Sequence, residues 1–260
     1  MKTGIGYGRP SGLATAVGLA SFVCSCSAGS LDVLGVAKNS LSLGLIAHWS
    51  CDEGAGATLV DHSGNGHDGT VAGVTWIAGR FSGALRFEGA GSVIVPNFPP
   101  AASNWSVAAW YRAPVYDQPT DLLTLVSTEI PFVGGWEMNV ILTPSNMSYD
   151  FGFPVHGDGG GDAYQTADSN LVDVEVWTQL TGVVDADSMR VLLYQNGELV
   201  DAKPLTSLIQ PGTQSLYMGR WWLDERRHLM GDLDDIAIYN RALRQSEIRG
   251  LVAKPVPDPR

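Results

Sequence analysis

The stretch "GDLDDIAIYNRALRQSEI", Gly231 to Ile248, sets two carboxylates side by side, Asp234 and Asp235, ahead of an apolar alternation. Adjacent negative charges repel unless a cation, a guanidinium or backbone amides offset them. Neighbours in a strand point to opposite faces, so the pair diverges and cannot share a catalytic task unless a bulge intervenes. Asp234 has the parity of Ile236 and Ile238 and is expected at the rim of the core. It then needs a cation, Arg86 or Arg241, or turn amides as partner. Asp235, in step with Leu233, Ala237 and Tyr239, reads as its more ordinary neighbour.

A second acidic group lies in "DEGAGATLVDHSGNGHDG". Its glycines allow sharp turns that expose carbonyls, while Asp52, Glu53 and Asp61 add carboxylate oxygens. That is the chemistry of Ca²⁺, which takes about six to eight oxygen ligands. Asp52, Glu53 and Asp61 are therefore candidate metal ligands. A third group, "GRWWLDERRHLMG", pairs Trp221 and Trp222, whose rings face opposite sides of an extended chain, with Asp224 and Arg226. An aromatic face beside charged groups suits a sugar or a peptide, and a lid on the core is the structural alternative.

Catalysis finds little support. Retaining glycoside hydrolysis needs two carboxyls about 5–5.5 Å apart across a cleft, and the Glu-x-Asp-x-x-Glu strand of jelly-roll glucanases is absent. "DVEVW", with Asp173 and Glu175 on one face, lacks a third acid and reads as a solvated face. No Gly-x-Ser-x-Gly, His-Glu-x-x-His or Cys-x-x-Cys occurs, and His48, His62, His67, His156 and His228 form no metal-ligand spacing.

The elements that must hold these residues are strands. Of 260 residues, 45% are hydrophobic, 17% are charged and 31 are Gly, a balance that suits short strands joined by turns. About eleven period-two runs separated by turn residues fill the chain between Leu45 and Tyr239, which predicts two packed antiparallel sheets. "YQNGELV" predicts a type I′ hairpin at Asn196-Gly197. "HGDGGGDAYQTADSN", His156 to Asn170, is the longest predicted loop. Trp49, Trp110, Trp136 and Trp177 are expected in the core.

A net charge of −11 argues against nucleic acid as a partner. At the N-terminus, Lys2 and Arg9 precede an apolar segment of signal-peptide length, too short to span a membrane with ease. Val23-Cys24-Ser25-Cys26 resembles a lipobox with Cys26 as the lipidated residue, and ordinary cleavage after Ala28 is the alternative. The expected division is a signal peptide at 1–25, a tether at 26–42, one domain at 43–253 and a Pro-rich tail at 254–260. The expected location is the outer surface or periplasm, with membrane contact only through a lipid anchor.

Five segments in order carry a resemblance: "LIAHWSCDEGAGATLVDHSGNGHDGTV", "GALRFEGAGSVIVP", "WSVAAWYRA", "VWTQLTGVVDADSMRVLLYQNGELV" and "MGDLDDIAIYNRALRQSEIRGL". Together they resemble the laminin G-like branch of the concanavalin A-like jelly-roll lectins, related to pentraxins, from Leu45 to Val252. Cys51 departs where an aromatic residue is common. Arg244 departs where Ser or Thr would cap the terminal helix, at a cost of about 1 kcal/mol, with Glu247 left as half of a capping box. The resemblance implies an all-β jelly roll of two antiparallel sheets with a short C-terminal helix. It also implies that a structural Ca²⁺ pins the opening loop to the closing strand, with Asp52, Glu53, Asp61, Asp234 and Asp235 as the metal candidates. The implied function is an exported, non-catalytic recognition or adhesion module for carbohydrate. A cell-envelope protein-interaction domain is the alternative, and a glycan-cleaving hydrolase or lyase ranks third.

Overall fold

The computed structural model describes residues 40–116, 121–129, 134–143, 146–156, 162–169, 173–212, 215–221 and 227–257. The predicted signal peptide, most of the predicted tether, Cys26, Trp222, Asp224 and Arg226 lie outside the described residues. No described helix is long and apolar enough to cross a membrane.

Sixteen strands are present among the described residues. The first sheet contains β1 (Leu45–Trp49), β4 (Thr75–Phe81), β5 (Gly83–Glu88), β7 (Trp105–Arg112), β12 (Trp177–Asp185), β13 (Arg190–Gln195), β14 (Glu198–Pro204) and β16 (Met230–Tyr239). Their order is β14-β13-β12-β7-β16-β5-β4, with β1 also on β16. The second contains β2 (Thr58–Leu59), β3 (Gly69–Ala72), β6 (Ser92–Pro96), β8 (Asp121–Ser127), β9 (Glu137–Thr143), β10 (Asn146–His156), β11 (Asp162–Asp168) and β15 (Ser215–Met218). Its order is β11-β10-β9-β8-β15-β6-β3-β2. Every pairing of named strands is antiparallel.

Alternation builds the core. Trp105, Val107, Ala109 and Tyr111 of β7 face Met138 and Val140 of β9 and Tyr149, Phe151 and Phe153 of β10 across the sandwich. The rings of Trp105, Trp136 and Phe151 follow one another at 5.7 and 6.3 Å. Gly182 is needed where β12 meets this layer, because a Cβ there would strike the Phe151 ring. A second apolar layer forms outside the first sheet, where Ile248 and Leu251 of α1 (Gln245–Ala253) cover Ala108, Val183, Ala237 and Tyr239.

The jelly-roll expectation holds, and three local expectations are corrected. Residues 162–168 of the anticipated loop form β11, because the alternation of "AYQTAD" outlasts the glycines before it. Trp177 is only half buried. It pairs with Arg112 on the outer face of the first sheet, where the Arg112 guanidinium lies 4.9 Å from its ring. In β16 the register slips between Asp234 and Ala237, and Asp235 is the extra residue, at φ 47°. The bulge resets parity, so Leu233, Ile236 and Ile238 all face the core while Asp234 falls outside it, opposite Trp110.

The Asn196-Gly197 turn has φ 51° and 82°, as a type I′ hairpin requires. Glu247 accepts the Arg244 N–H at 2.9 Å, so half a capping box closes α1 without a hydroxyl cap. Val256, in the segment read as tail, is buried against the second apolar layer.

Candidate functional site

Bulge, hairpin and opening loop bring the acidic groups to one end of the first sheet. Asp234 is fully buried, and its Oδ2 accepts the N–H groups of Arg80 at 2.7 Å and Phe81 at 2.9 Å, at the irregular end of β4. Neither arginine expected to pair with it does so. Arg86 forks onto Asp232, and Arg241 onto Glu247. Burial pushes the Asp234 carboxyl up to about 7, with Asp235 and Asp52 adding to the rise against the two amides.

Asp235 is not the ordinary neighbour. It is buried, its Oδ1 lies 2.7 Å from His48 Nε2, and it accepts the Val256 N–H at 3.1 Å. Asp61 takes the N–H groups of His48, Ser63 and His67 and the Ser63 hydroxyl, at 2.8–3.0 Å. Burial alone would raise its pKa, but these donors hold it below the usual range. The closing strand is thus tied to "DHSGNG" through Asp235 and His48, not through Asp234.

Ca²⁺ needs oxygens with lone pairs to spare. Asp61 and Asp235 spend theirs on protein donors and do not fit. Asp52 Oδ1 accepts the Gly83 N–H at 2.7 Å, and Glu53 Oε1 the Val60 N–H at 2.8 Å. Glu53 Oε2 and Asp234 Oδ1, by contrast, are buried without a hydrogen-bond partner. Both residues stand near enough to Cys51 to raise its thiol pKa, after burial itself. Among the described residues no three His, Cys, Asp or Glu side chains form a group that could hold a metal ion. A cation here would draw its remaining ligands from carbonyls such as that of Cys51, which faces Gly83.

A second polar site, missed in the sequence, lies on the outer face of the second sheet. Thr124 of β8 pairs with Asn139 of β9, Asn139 with Asp150 of β10, and Asp150 with Asp168 of β11. Their strand neighbours Met138, Val140, Tyr149 and Phe151 fill the core, so the row points away from it. Thr124 and Asn139 are fully buried all the same, and Asp150 nearly so. Among the described residues the Thr124 hydroxyl, both amide atoms of Asn139 and Oδ1 of Asp150 lack a well-formed hydrogen bond.

Beside the row, Glu137 Oε2 pairs with Arg227 Nη1 at 3.2 Å, and the Arg227 guanidinium lies 4.3 Å from the half-buried Trp221 ring. Burial pushes Asp150 up to about 7, against the adjacent Asn139 side chain and Arg227, which lower it, and with the charges of Asp168 and Glu129 adding to the rise. Burial and the neighbouring Glu129 also raise Glu137 well above the carboxylate range. Of the four binding residues expected from the sequence, Trp221 is at this face, and Trp222, Asp224 and Arg226 lie outside the described residues. The signal for the rest was in "EMNV" and "SYDF", polar residues alternating with core residues, a pattern equally consistent with a solvated face.

No curated protein sequence matches the chain. Among solved structures it is similar to the binding domain of Paraclostridial Mosquitocidal Protein 1, at 20% identity and TM-score 0.63, over 82% of this chain and 52% of that one. It is also similar to domain 4 of AbnA, a GH43 extracellular arabinanase from Geobacillus stearothermophilus solved with arabinotriose, at 21% identity and TM-score 0.56, over 80% and 98%. A third is the botulinum neurotoxin serotype D ligand-binding domain in complex with N-acetylneuraminic acid, at 18% and 0.58, over 84% and 52%. The chain spans about half the length of the toxin domains and nearly all of the arabinanase domain. At these identities the likeness is one of fold. The sequence profile of the concanavalin A-like lectin/glucanase superfamily matches residues 87–249, from the end of β5 into α1, and the chain belongs to that superfamily.

Proposed function

We propose that this protein is an exported, non-catalytic module that recognises carbohydrate on the outer face of its second sheet. The observation that carries the reading is the row Thr124–Asn139–Asp150, whose buried donors and acceptors lack well-formed hydrogen bonds. Such groups cost about 1–3 kcal/mol each when left unmade, and sugar hydroxyls, which both donate and accept, complement them. Trp221 adds an aromatic surface at the edge of the row, held by Arg227. The arabinotriose and N-acetylneuraminic acid bound by two structural neighbours support the ligand class.

A screen against a glycan array, followed by calorimetry on Trp221→Ala and Asn139→Ala, tests the site. The expected result is at least tenfold weaker binding in both, and unchanged affinity in both removes this face from the function. A protein partner is the second reading, favoured by the serotype DC toxin binding domain solved with rat synaptotagmin II. It predicts a blank array with a specific partner in pull-down.

Two further parts of the reading concern placement and rigidity. Residues 1–25 direct export and Cys26 carries a lipid anchor; labelling with a radioactive fatty acid, lost in Cys26→Ala, tests this. A structural Ca²⁺ would be held by Asp234 Oδ1 and Glu53 Oε2, with Asp52 alongside, and would offset the charge gathered at the closing strand.

A further inference from the structure

On the outer face of the first sheet, away from α1, Arg86 of β5, Asp232 of β16 and Arg112 of β7 stand in register across three strands. Asp232 is almost fully buried. Arg86 reaches it through Nε at 2.8 Å and Nη2 at 3.1 Å. Arg112 does so through Nε at 2.8 Å and Nη2 at 2.6 Å. Two guanidiniums on one carboxylate leave the triad one positive charge, which Glu88 and Glu175 offset in the wider cavity, and each guanidinium keeps its Nη1 edge free of any other described acceptor. Both forks are held in place, Arg86 by its two bonds and Arg112 by those and by the Trp177 ring 4.9 Å beneath it. Little order remains to be imposed when a ligand binds.

These arginines line a cavity of about 670 Å³ with Glu88, Glu175, Pro114 and Met230, a size that suits a sugar residue. Glu175 holds a left-handed backbone, φ 60°, with its N–H on the Ala113 carbonyl at 2.6 Å. A non-glycine residue in that region is strained and points to function where it lines a pocket. Val115, Val176 and Met230, at 67%, 51% and 43% exposure, add apolar surface beside the cavity.

We propose that this cavity is a second binding site, for a sugar residue that carries one carboxylate. The carboxylate would lie across the free edges of Arg86 and Arg112, where planar two-point recognition is strongest. Ring hydroxyls would donate to Glu88 and Glu175, and Pro114 and Met230 would cover the ring. The same two glutamates, in a chain of net charge −11, disfavour an extended polyanion. The choice of a sugar rests on the carbohydrate reading above, but the site lies on the opposite sheet.

The test is calorimetry with three probes on the full chain: an oligosaccharide ending in glucuronate, the same oligosaccharide ending in glucose, and an N-acetylated dipeptide with a free carboxylate. The acidic sugar is expected to bind at least tenfold more tightly than either of the others. Arg86→Met leaves Asp232 paired with Arg112 and should weaken the acidic sugar about tenfold. Arg86→Lys, which keeps the charge but not the fork, should lose most of the same binding. Equal binding of the neutral sugar, equal binding of the dipeptide, or full affinity in both Arg86 variants would overturn the proposal. Failure of the second-sheet reading shows instead as unchanged binding of neutral glycans in Trp221→Ala and Asn139→Ala.

Discussion

His48 Nε2 and Asp235 Oδ1 meet at 2.7 Å across 187 positions of sequence, with both side chains almost wholly buried. Through this contact β1, the bulge of β16 and the C-terminal segment share one carboxylate, since Asp235 also receives the Val256 N–H. Removing an acceptor that two buried donors share is costly because His48 Nε2 and the Val256 N–H are then left unmade. Asp235→Ala should therefore lower stability by about 3 kcal/mol in urea titration. It should also free the segment after α1 to early proteolysis. A loss below about 1 kcal/mol would show that the contact carries no weight.

The calcium assignment makes a conditional prediction. Asp234→Ala should lower the melting temperature more in Ca²⁺ than in EDTA, because only then is a ligand lost as well as an acceptor for the Arg80 and Phe81 amides. Equal loss in both solutions would leave Asp234 with its amide role alone.

Asp150 sets a pH dependence. Its folded pKa of about 7 stands above an unfolded value near 3.9, so the folded state holds the proton more tightly. That stability is present below about pH 4 and is lost as pH rises through about 7. Asp61 works the other way: its lowered pKa contributes stability that fades as pH falls through its folded value. Between about pH 5 and 8 the urea midpoint should decline in the wild type by the equivalent of about 2 kcal/mol or more. It should decline less in Asp150→Asn, and parallel slopes would refute the assignment.

Gly79 stands where β4 turns toward Asp234. A Cβ there would meet the Gly83 carbonyl and come within 2.6 Å of Asp234 Oδ2. Gly79→Ala should cost about 2 kcal/mol through overpacking against backbone, measured by thermal melting. Gly64→Ala meets nothing within 4 Å and should cost only the strain of its positive φ, about 1 kcal/mol.

How far the sequence speaks depends on what a period of two can encode. It places Trp49, Trp110 and Trp136 among the buried residues and the turn at Asn196-Gly197, because alternation and positive φ are local properties. The parity argument for Asp234 and Asp235 names the exception that defeats it, a bulge, but the bulge is set by pairing with Trp110 and Ala108 on another strand. Glu137, Asn139 and Asp150 alternate with core residues and so look like any wetted face. Their burial is set by non-local packing, which no window on β9 or β10 contains. Trp177 failed for the mirror reason: its strand is central, but its face is the outer one, where Arg112 covers it.

Leu41, at the first described turn, and Val256, after the last helix, both pack in the layer that α1 builds on the first sheet. The two ends of the domain therefore share a back, and on the proposed reading the second sheet is the palm. A support attached before Leu41 would grip the molecule from behind and hold Trp221 and Arg227 toward whatever passes in front. Copies fixed side by side on one surface would then present parallel palms, so that weak single contacts with a repeating polymer add up in the manner of a hook-and-loop tape.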